Sequence, residues 1–151
     1  MEVLKETAGL KGRVIAELWD ARSGKKIGEF VSDNLVVNAG KAQVANLIAG
    51  GNTTSFNFIG VGSSSATPAV TDTDLVAPVT VNQCTQRLIS SNTAAFRAFF
   101  SSAQALNGSL SECTLSTAQS AGTILSRALF SSQINKTSQK TLTLEWQISI
   151  G

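Results

Sequence analysis

The chain has 151 residues, 42% apolar and 15% charged, with a net charge of +2, no histidine and no tyrosine. That length suits one domain with a real core. The small net charge gives no electrostatic footprint for nucleic acid or an acidic membrane, and the missing histidine removes the commonest general base and transition-metal ligand.

The charges are unevenly placed. Eleven of the 22 Asp, Glu, Lys and Arg residues lie in positions 1–30, and between Ala42 and Ser132 there are only Asp72, Asp74, Arg87, Arg97, Glu112 and Arg127. That middle is dense in Ser, Thr, Ala, Asn and Gln. A polar but uncharged surface fits a protein packed against copies of itself or another shell, because interface cores are depleted in charge. A Ser/Thr-rich β-domain with no such partner has the same composition. Cys84 and Cys113 are too few for a disulfide framework and have no metal-ligand spacing, so both are expected as reduced, small core hydrophobes. The first residues are acidic and lack an apolar run, so no signal peptide is expected, and no stretch approaches the ~20 apolar residues of a membrane span. The expected site of synthesis is a cytoplasm.

In chain order, residues 1–12 carry mixed charge and no period. They are expected as an N-terminal arm, either clasping a neighbour or frayed. Residues 13–151 then form one domain. Positions 13–19 alternate, with Val14, Ala16 and Leu18 opposite Ile15, Glu17 and Trp19. A turn at Asp20–Lys25 with Gly24 leads to a second strand over 26–31. A short strand at 35–37 precedes the one clear helix, 39–49, with Asn38 as N-cap, a Val44/Leu47/Ile48 stripe and a Gly50-Gly51 stop.

A strand at 56–61, with Phe56 and Phe58 on one face, runs into Gly60-Val-Gly-Ser-Ser-Ser65. This lacks the spacing, the lysine and the following helix of a phosphate-binding loop, and is expected as a flexible loop. Thr71-Asp-Thr-Asp74 fits a capping box for one helical turn, with Thr71 as N-cap and Asp74 at N3. Ca²⁺ binding by Asp72 and Asp74 is the less favoured reading, since no further oxygen ligands follow. Strands follow at 79–89 and at 93–100, where Phe96, Ala98 and Phe100 share a face opposite Arg97 and Phe99. Asn107-Gly108 predicts a hairpin turn, with strands at 110–115 and 123–130 and a turn at 133–138.

The last stretch alternates without a break: Leu142, Leu144, Trp146, Ile148 and Ile150 on one face, Thr141, Thr143, Glu145, Gln147 and Ser149 on the other. Eight or nine short strands with regular turns argue an antiparallel β-sandwich or flattened barrel, mostly β, with one helix.

Read together, Asn34-Leu-Val-Val-Asn-Ala-Gly-Lys41, Phe58-Ile-Gly-Val-Gly62, Thr71-Asp-Thr-Asp-Leu75, Ser111-Glu-Cys-Thr-Leu115, Gly122-Thr-Ile-Leu-Ser-Arg127 and Leu144-Glu-Trp-Gln-Ile-Ser-Ile150 resemble the small virion structural proteins of tailed bacteriophages. The resemblance spans positions 13–151 and departs at Cys113, where the family pattern has glycine. It implies a capsid decoration (cement) protein that binds the outer head lattice, with the major capsid protein and its own copies, expected as a homotrimer, as partners. Its place would be the virion, with neither nucleic acid nor membrane as partner. A tail, neck or baseplate component is the alternative. The family carries no catalytic residues, cofactor or metal, so none is expected here.

A third reading is a carbohydrate-binding module or small glycosidase-like domain on a β-sandwich, with Trp19 and Trp146 stacking sugars and Glu17, Glu112 and Glu145 as acids. Against it, Trp146 sits on an all-apolar strand face, and Glu112 with Arg127 fits a structural ion pair across strands.

Overall fold

The strand whose alternation is cleanest, β10 (Lys140–Ile150), stands at the centre of a five-stranded antiparallel sheet. A computed structural model describes residues 9–151. Around β10 run β1 (Leu10–Asp20), β2 (Lys26–Asp33), β6 (Gln86–Ser90) and β7 (Thr93–Phe100), in the order β2-β1-β10-β7-β6. The second sheet is β3-β9-β8-β4-β5, built from β3 (Leu35–Val36), β4 (Phe58–Gly62), β5 (Pro78–Gln83), β8 (Asn107–Ser116) and β9 (Ile124–Lys136). Both sheets are antiparallel and they pack face to face without closing into a barrel, so of the two expected architectures the sandwich is the one adopted. The single helix among the described residues, α1 (Asn38–Ala49), lies against β9.

The core is what the alternation demands. Leu142, Leu144, Trp146 and Ile148 are buried, as are Val14, Ala16 and Leu18 opposite them in β1, and Ala98 and Phe100 in β7. From the second sheet come Ile59, Val61, Leu110, Cys113, Leu115, Ala128, Phe130 and Ile134. The β1–β2 turn forms as its residues require. Asp20 Oδ1 accepts the N–H groups of Arg22 and Ser23 at 2.9 and 2.8 Å, and Gly24 takes a φ of 70° that a side chain would resist. At the far end Lys136 is buried, its ammonium donating to the carbonyls of Ser101 and Thr137, and burial pushes its pKa down.

Several local expectations are corrected. Strand β1 begins at Leu10, where it pairs with Ile150, so the last residues of the expected arm are sheet; residues 1–8 of that arm lie outside the described residues. Positions 79–89 are two strands in different sheets. The Cys84 N–H bonds Asn57 O in the second sheet at 2.7 Å, and the next N–H, of Thr85, bonds Arg97 O in the first at 2.8 Å. The chain changes sheets across one peptide. Asn107-Gly108 opens β8 instead of turning a hairpin, because β7 and β8 belong to different sheets and the crossing uses the longer segment 101–106. Strand β9 likewise runs on to Lys136, leaving a turn at 137–139.

The helix is correct in extent, and Gly50 closes it in the left-handed conformation, but Val37 is its N-cap residue and no side chain caps it. The Asn38 N–H is taken by the Val70 carbonyl at 2.8 Å, which ties the helix start to the 63–77 loop. Ile48 is 83% exposed; Gly40, Gln43, Val44 and Leu47 make the packed side instead. Gly40 is required there, since a Cβ would stand 2.2 Å from the Leu125 carbonyl. In β4 the face set is also shifted: Ile59 and Val61 enter the core and Phe58 is only half-buried.

Candidate functional site

One buried clasp and one open sheet face gather the ion pairs of the middle of the chain, and an apolar groove lies at one end of the sandwich. The clasp lies on the outer face of the second sheet, beneath the 63–77 loop. Glu112, fully buried, accepts four hydrogen bonds on its carboxylate. Oε1 takes the Val76 N–H at 2.8 Å and Arg127 Nε at 3.1 Å; Oε2 takes the Ser64 N–H at 2.9 Å and the Ala77 N–H at 2.8 Å. Arg127, also fully buried, reaches on to Asp72 Oδ2 at 3.3 Å, and Asp72 in turn accepts the Ala69 N–H at 2.9 Å.

One guanidinium and two carboxylates thus hold both flanks of a loop that has no regular structure of its own. The expected Glu112–Arg127 pair is present. The predicted helical turn at Thr71–Asp74 is absent, because Asp72 is drawn inward to Arg127 while Asp74 accepts only the neighbouring Leu75 N–H.

The glycines of Gly60-Val-Gly62 now have a physical role. A Cβ at Gly62 would stand 2.5 Å from the Ala77 carbonyl and 2.7 Å from Glu112 Oε2, and one at Gly60 would stand 2.8 Å from Leu75 Cδ1. They let the loop lie flat on the sheet, with Leu75 buried beneath it. The loop expected to be flexible is anchored at Ser63, Ser64, Ala69 and Ala77, leaving Ser65, Ala66 and Thr67 exposed.

The outer face of the first sheet is open. Cross-strand register puts Glu17 beside Thr143 and Phe99, Ile15 beside Glu145 and Arg97, and Trp19 beside Thr141. Arg97 Nε donates to Glu145 Oε1 at 2.7 Å and Nη1 to Gln86 at 2.8 Å, while Gln147 donates to the other Glu145 oxygen at 2.7 Å. The Arg97 hydrogen bond is the main reason the Glu145 carboxyl is held below its usual range; partial burial opposes it and the Gln147 bond adds to it. Trp19 Nε1 donates to Thr143 Oγ1 at 3.2 Å. Two shallow hollows, of 320 and 300 Å³, lie on either side of Phe99 and Thr143.

Of the residues weighed for sugar binding, Trp19, Glu17 and Glu145 come together on this face, joined by Arg97 and Phe99, which sequence reasoning did not single out. Trp146 and Glu112 are buried elsewhere and cannot reach a ligand. A depressed Glu145 pKa suits a hydrogen-bond acceptor and not a general acid.

The apolar groove lies at the end of the sandwich where α1 sits. Its lining includes Val44, Leu47, Phe56, Phe96, Ile148 and Ile150. No cysteine pairing forms. Burial pushes the half-buried Cys84 thiol up to about 11, against a small opposing effect of Arg87. Cys113 is raised by full burial and by the neighbouring Glu112 charge. Among the described residues no three His, Cys, Asp or Glu side chains gather as metal ligands, and no helix is long and apolar enough to cross a membrane. No protein-family model, no curated protein and no solved structure matches the chain.

Proposed function

We propose that this chain is a structural protein of a tailed-bacteriophage virion, acting as a decoration (cement) protein on the outside of the head. Its partners in this reading are the major capsid protein and its own copies, closed as a trimer around a local axis. Its role is mechanical, with no reaction catalysed.

The observation that carries the reading is how little free charge the middle of the chain presents. Of the six charged residues between Ala42 and Ser132, Asp72, Glu112 and Arg127 are engaged in the clasp and Arg97 is engaged with Glu145. Only Asp74 and Arg87 are left without an ion-pair partner among the described residues. A surface so poor in charge matches the core of a permanent interface better than a free monomer. The clasp adds what a load-bearing cement needs, since it turns a 15-residue loop into part of a rigid body. The motif resemblance supplies the virion setting.

The test is sedimentation of the purified protein with undecorated heads and, separately, with isolated tails. Saturable binding to heads, with greater resistance of those heads to heat, is the expected result. Binding to tails alone moves the reading to a tail, neck or baseplate component, and binding to neither overturns it.

A second reading, carbohydrate binding, is favoured by the outer face of the first sheet, where Trp19 and Phe99 flank Thr143 beside Glu17, Arg97 and Glu145. Aromatic faces beside fixed hydrogen-bonding groups are what a sugar ring requires. A glycan screen, with Trp19→Ala as control, supports it only if a bound glycan is lost in the variant.

A further inference from the structure

The two packed sheets leave four edge strands, β2 and β6 in the first and β3 and β5 in the second. An open edge offers unpaired N–H and C=O groups to any other strand, and soluble folds normally blunt theirs. Three of these four are blunted. In β2, Lys26 lies 2.9 Å from Glu29 and 3.6 Å from Glu17, and the pairing with β1 is irregular at Trp19. β3 is two residues long. β5 begins at Pro78 and is partly covered, Gln119 Nε2 donating to the Val81 carbonyl at 3.4 Å and the Ala105 N–H to Thr80 Oγ1 at 3.1 Å.

β6 has none of these devices. Its five residues are all exposed, it contains no proline, and its register with β7 runs from Gln86 to Ser90 without a shift. Among the described residues no strand lies on its other side. Its one charge, Arg87, is engaged by Ser55, Nη1 donating to Oγ at 2.8 Å. Ile89, 86% exposed, stands on the core face, and Leu88, 39% exposed, on the outer one. The two-residue turn Ser91-Asn92 closes on the Ser90–Thr93 pair, so Ser90, Leu88 and Gln86 turn their peptide groups toward β7. Arg87 and Ile89 therefore turn theirs outward.

We propose that two copies of this chain join through β6, strand against antiparallel strand, about a two-fold axis at Leu88. A second copy is the occupant because the strand complements itself. About that axis Leu88 meets Leu88, Gln86 meets Ser90, and Arg87 meets Ile89 of the other copy. The Arg87–Ile89 pairs are the ones with outward peptide groups, so N–H and C=O are exchanged at both. Each arginine falls opposite an isoleucine and not opposite the other arginine, so no like charges face each other. On the core side, Ile89 of the other copy arrives beside Arg87. It meets there the rim of a 440 Å³ hollow whose lining includes Leu47, Phe56, Arg87 and Phe96. The proposal stands independently of the virion reading, in which such a contact joins neighbouring rings and does not close one.

Sedimentation equilibrium of the full chain should give particles of at least two chains. Ile89→Lys should lower their mass at least twofold at the same concentration, because it sets a like charge opposite Arg87. Its thermal melt should match the parent's, since the side chain it replaces is exposed. A parent that sediments as one chain, or a variant of unchanged mass, overturns the proposal. Single cysteines in the otherwise native chain read the symmetry, with the parent as control. Leu88→Cys, on the axis, should cross-link to its own copy on oxidation, at a Cα separation of ~4.5 Å. Gln86→Cys alone should not, because two such residues stand four positions apart, ~13 Å. Mixed with Ser90→Cys it should. Absence of the Leu88→Cys link, or equal linking by Gln86→Cys alone, overturns the two-fold pairing even where the mass falls.

Discussion

The two outer faces of the sandwich each carry an arginine–glutamate pair, and the pairs differ in what surrounds them. Arg97–Glu145 is the shorter, at 2.7 Å, with side chains 50% and 22% exposed. Arg127–Glu112 is longer, at 3.1 Å, and neither side chain has any exposure. Distance alone would rank the exposed pair first. Burial reverses the order, because water competes for the exposed pair while nothing but the protein can satisfy the buried one. The buried carboxylate also holds three backbone N–H groups of the loop above it, so it organises a surface and not just a partner. One face is therefore a fixed cover and the other an open platform.

Removing Glu112 should break the covered face and give the largest effect. Glu112→Ala leaves the buried Arg127 with only the partly exposed Asp72 as partner and orphans the N–H groups of Ser64, Val76 and Ala77, a loss of ~3–5 kcal/mol. Glu112→Gln should lose nearly as much. All four bonds run into carboxylate oxygens, and an amide NH₂ would confront donors with a donor. Denaturant unfolding checks both variants, and a Gln variant within about 1 kcal/mol of the parent would show that the clasp does not organise the loop.

Next in size comes the layer beneath both faces. Trp146 is fully buried, so Trp146→Ala should cost ~3–5 kcal/mol. Trp146→Phe should cost clearly less, since the indole N–H it gives up has no protein acceptor. Thermal melts of the two variants separate packing from polarity at that site. An alanine variant that melts with the parent would mean the central strand is misplaced.

What the sequence disclosed, and what it hid, follows the same division. Alternation along β10, β1 and β7 was readable because each residue's side depends only on its own parity. The pairing of Glu112 with Arg127 was readable as two opposite charges in neighbouring strands. Asp72 was not, because its partner lies 55 positions away and a local capping box competes for the same residues. Asn38 looked like a cap, but the helix takes it as its first residue and the extended Val37 stands at the cap position. The break at Cys84 was hidden because a chain that changes sheets keeps its apolar content. Of the open platform, Trp19, Glu17 and Glu145 were visible one by one; that Phe99 and Arg97 join them depends on β7 pairing with β10, which no local pattern encodes.

The smallest expected effect belongs to the exposed pair. A double-mutant cycle through Arg97→Ala and Glu145→Ala should return a coupling of about 0.2–1 kcal/mol, shrinking as salt is added. Its pH dependence has a definite sign. The folded state holds the Glu145 carboxyl below its usual range, so the pair's contribution is complete above the ordinary carboxylate pKa. It fades as acid brings the pH down through the lower folded value. Measured at neutral pH and again in acid, the cycle should therefore shrink toward zero, while Arg97→Ala alone should show a weaker acid dependence than the parent. A coupling as large as the buried pair's, or one indifferent to pH and salt, would mean this face is not open to water as described. The platform would then be a second covered surface.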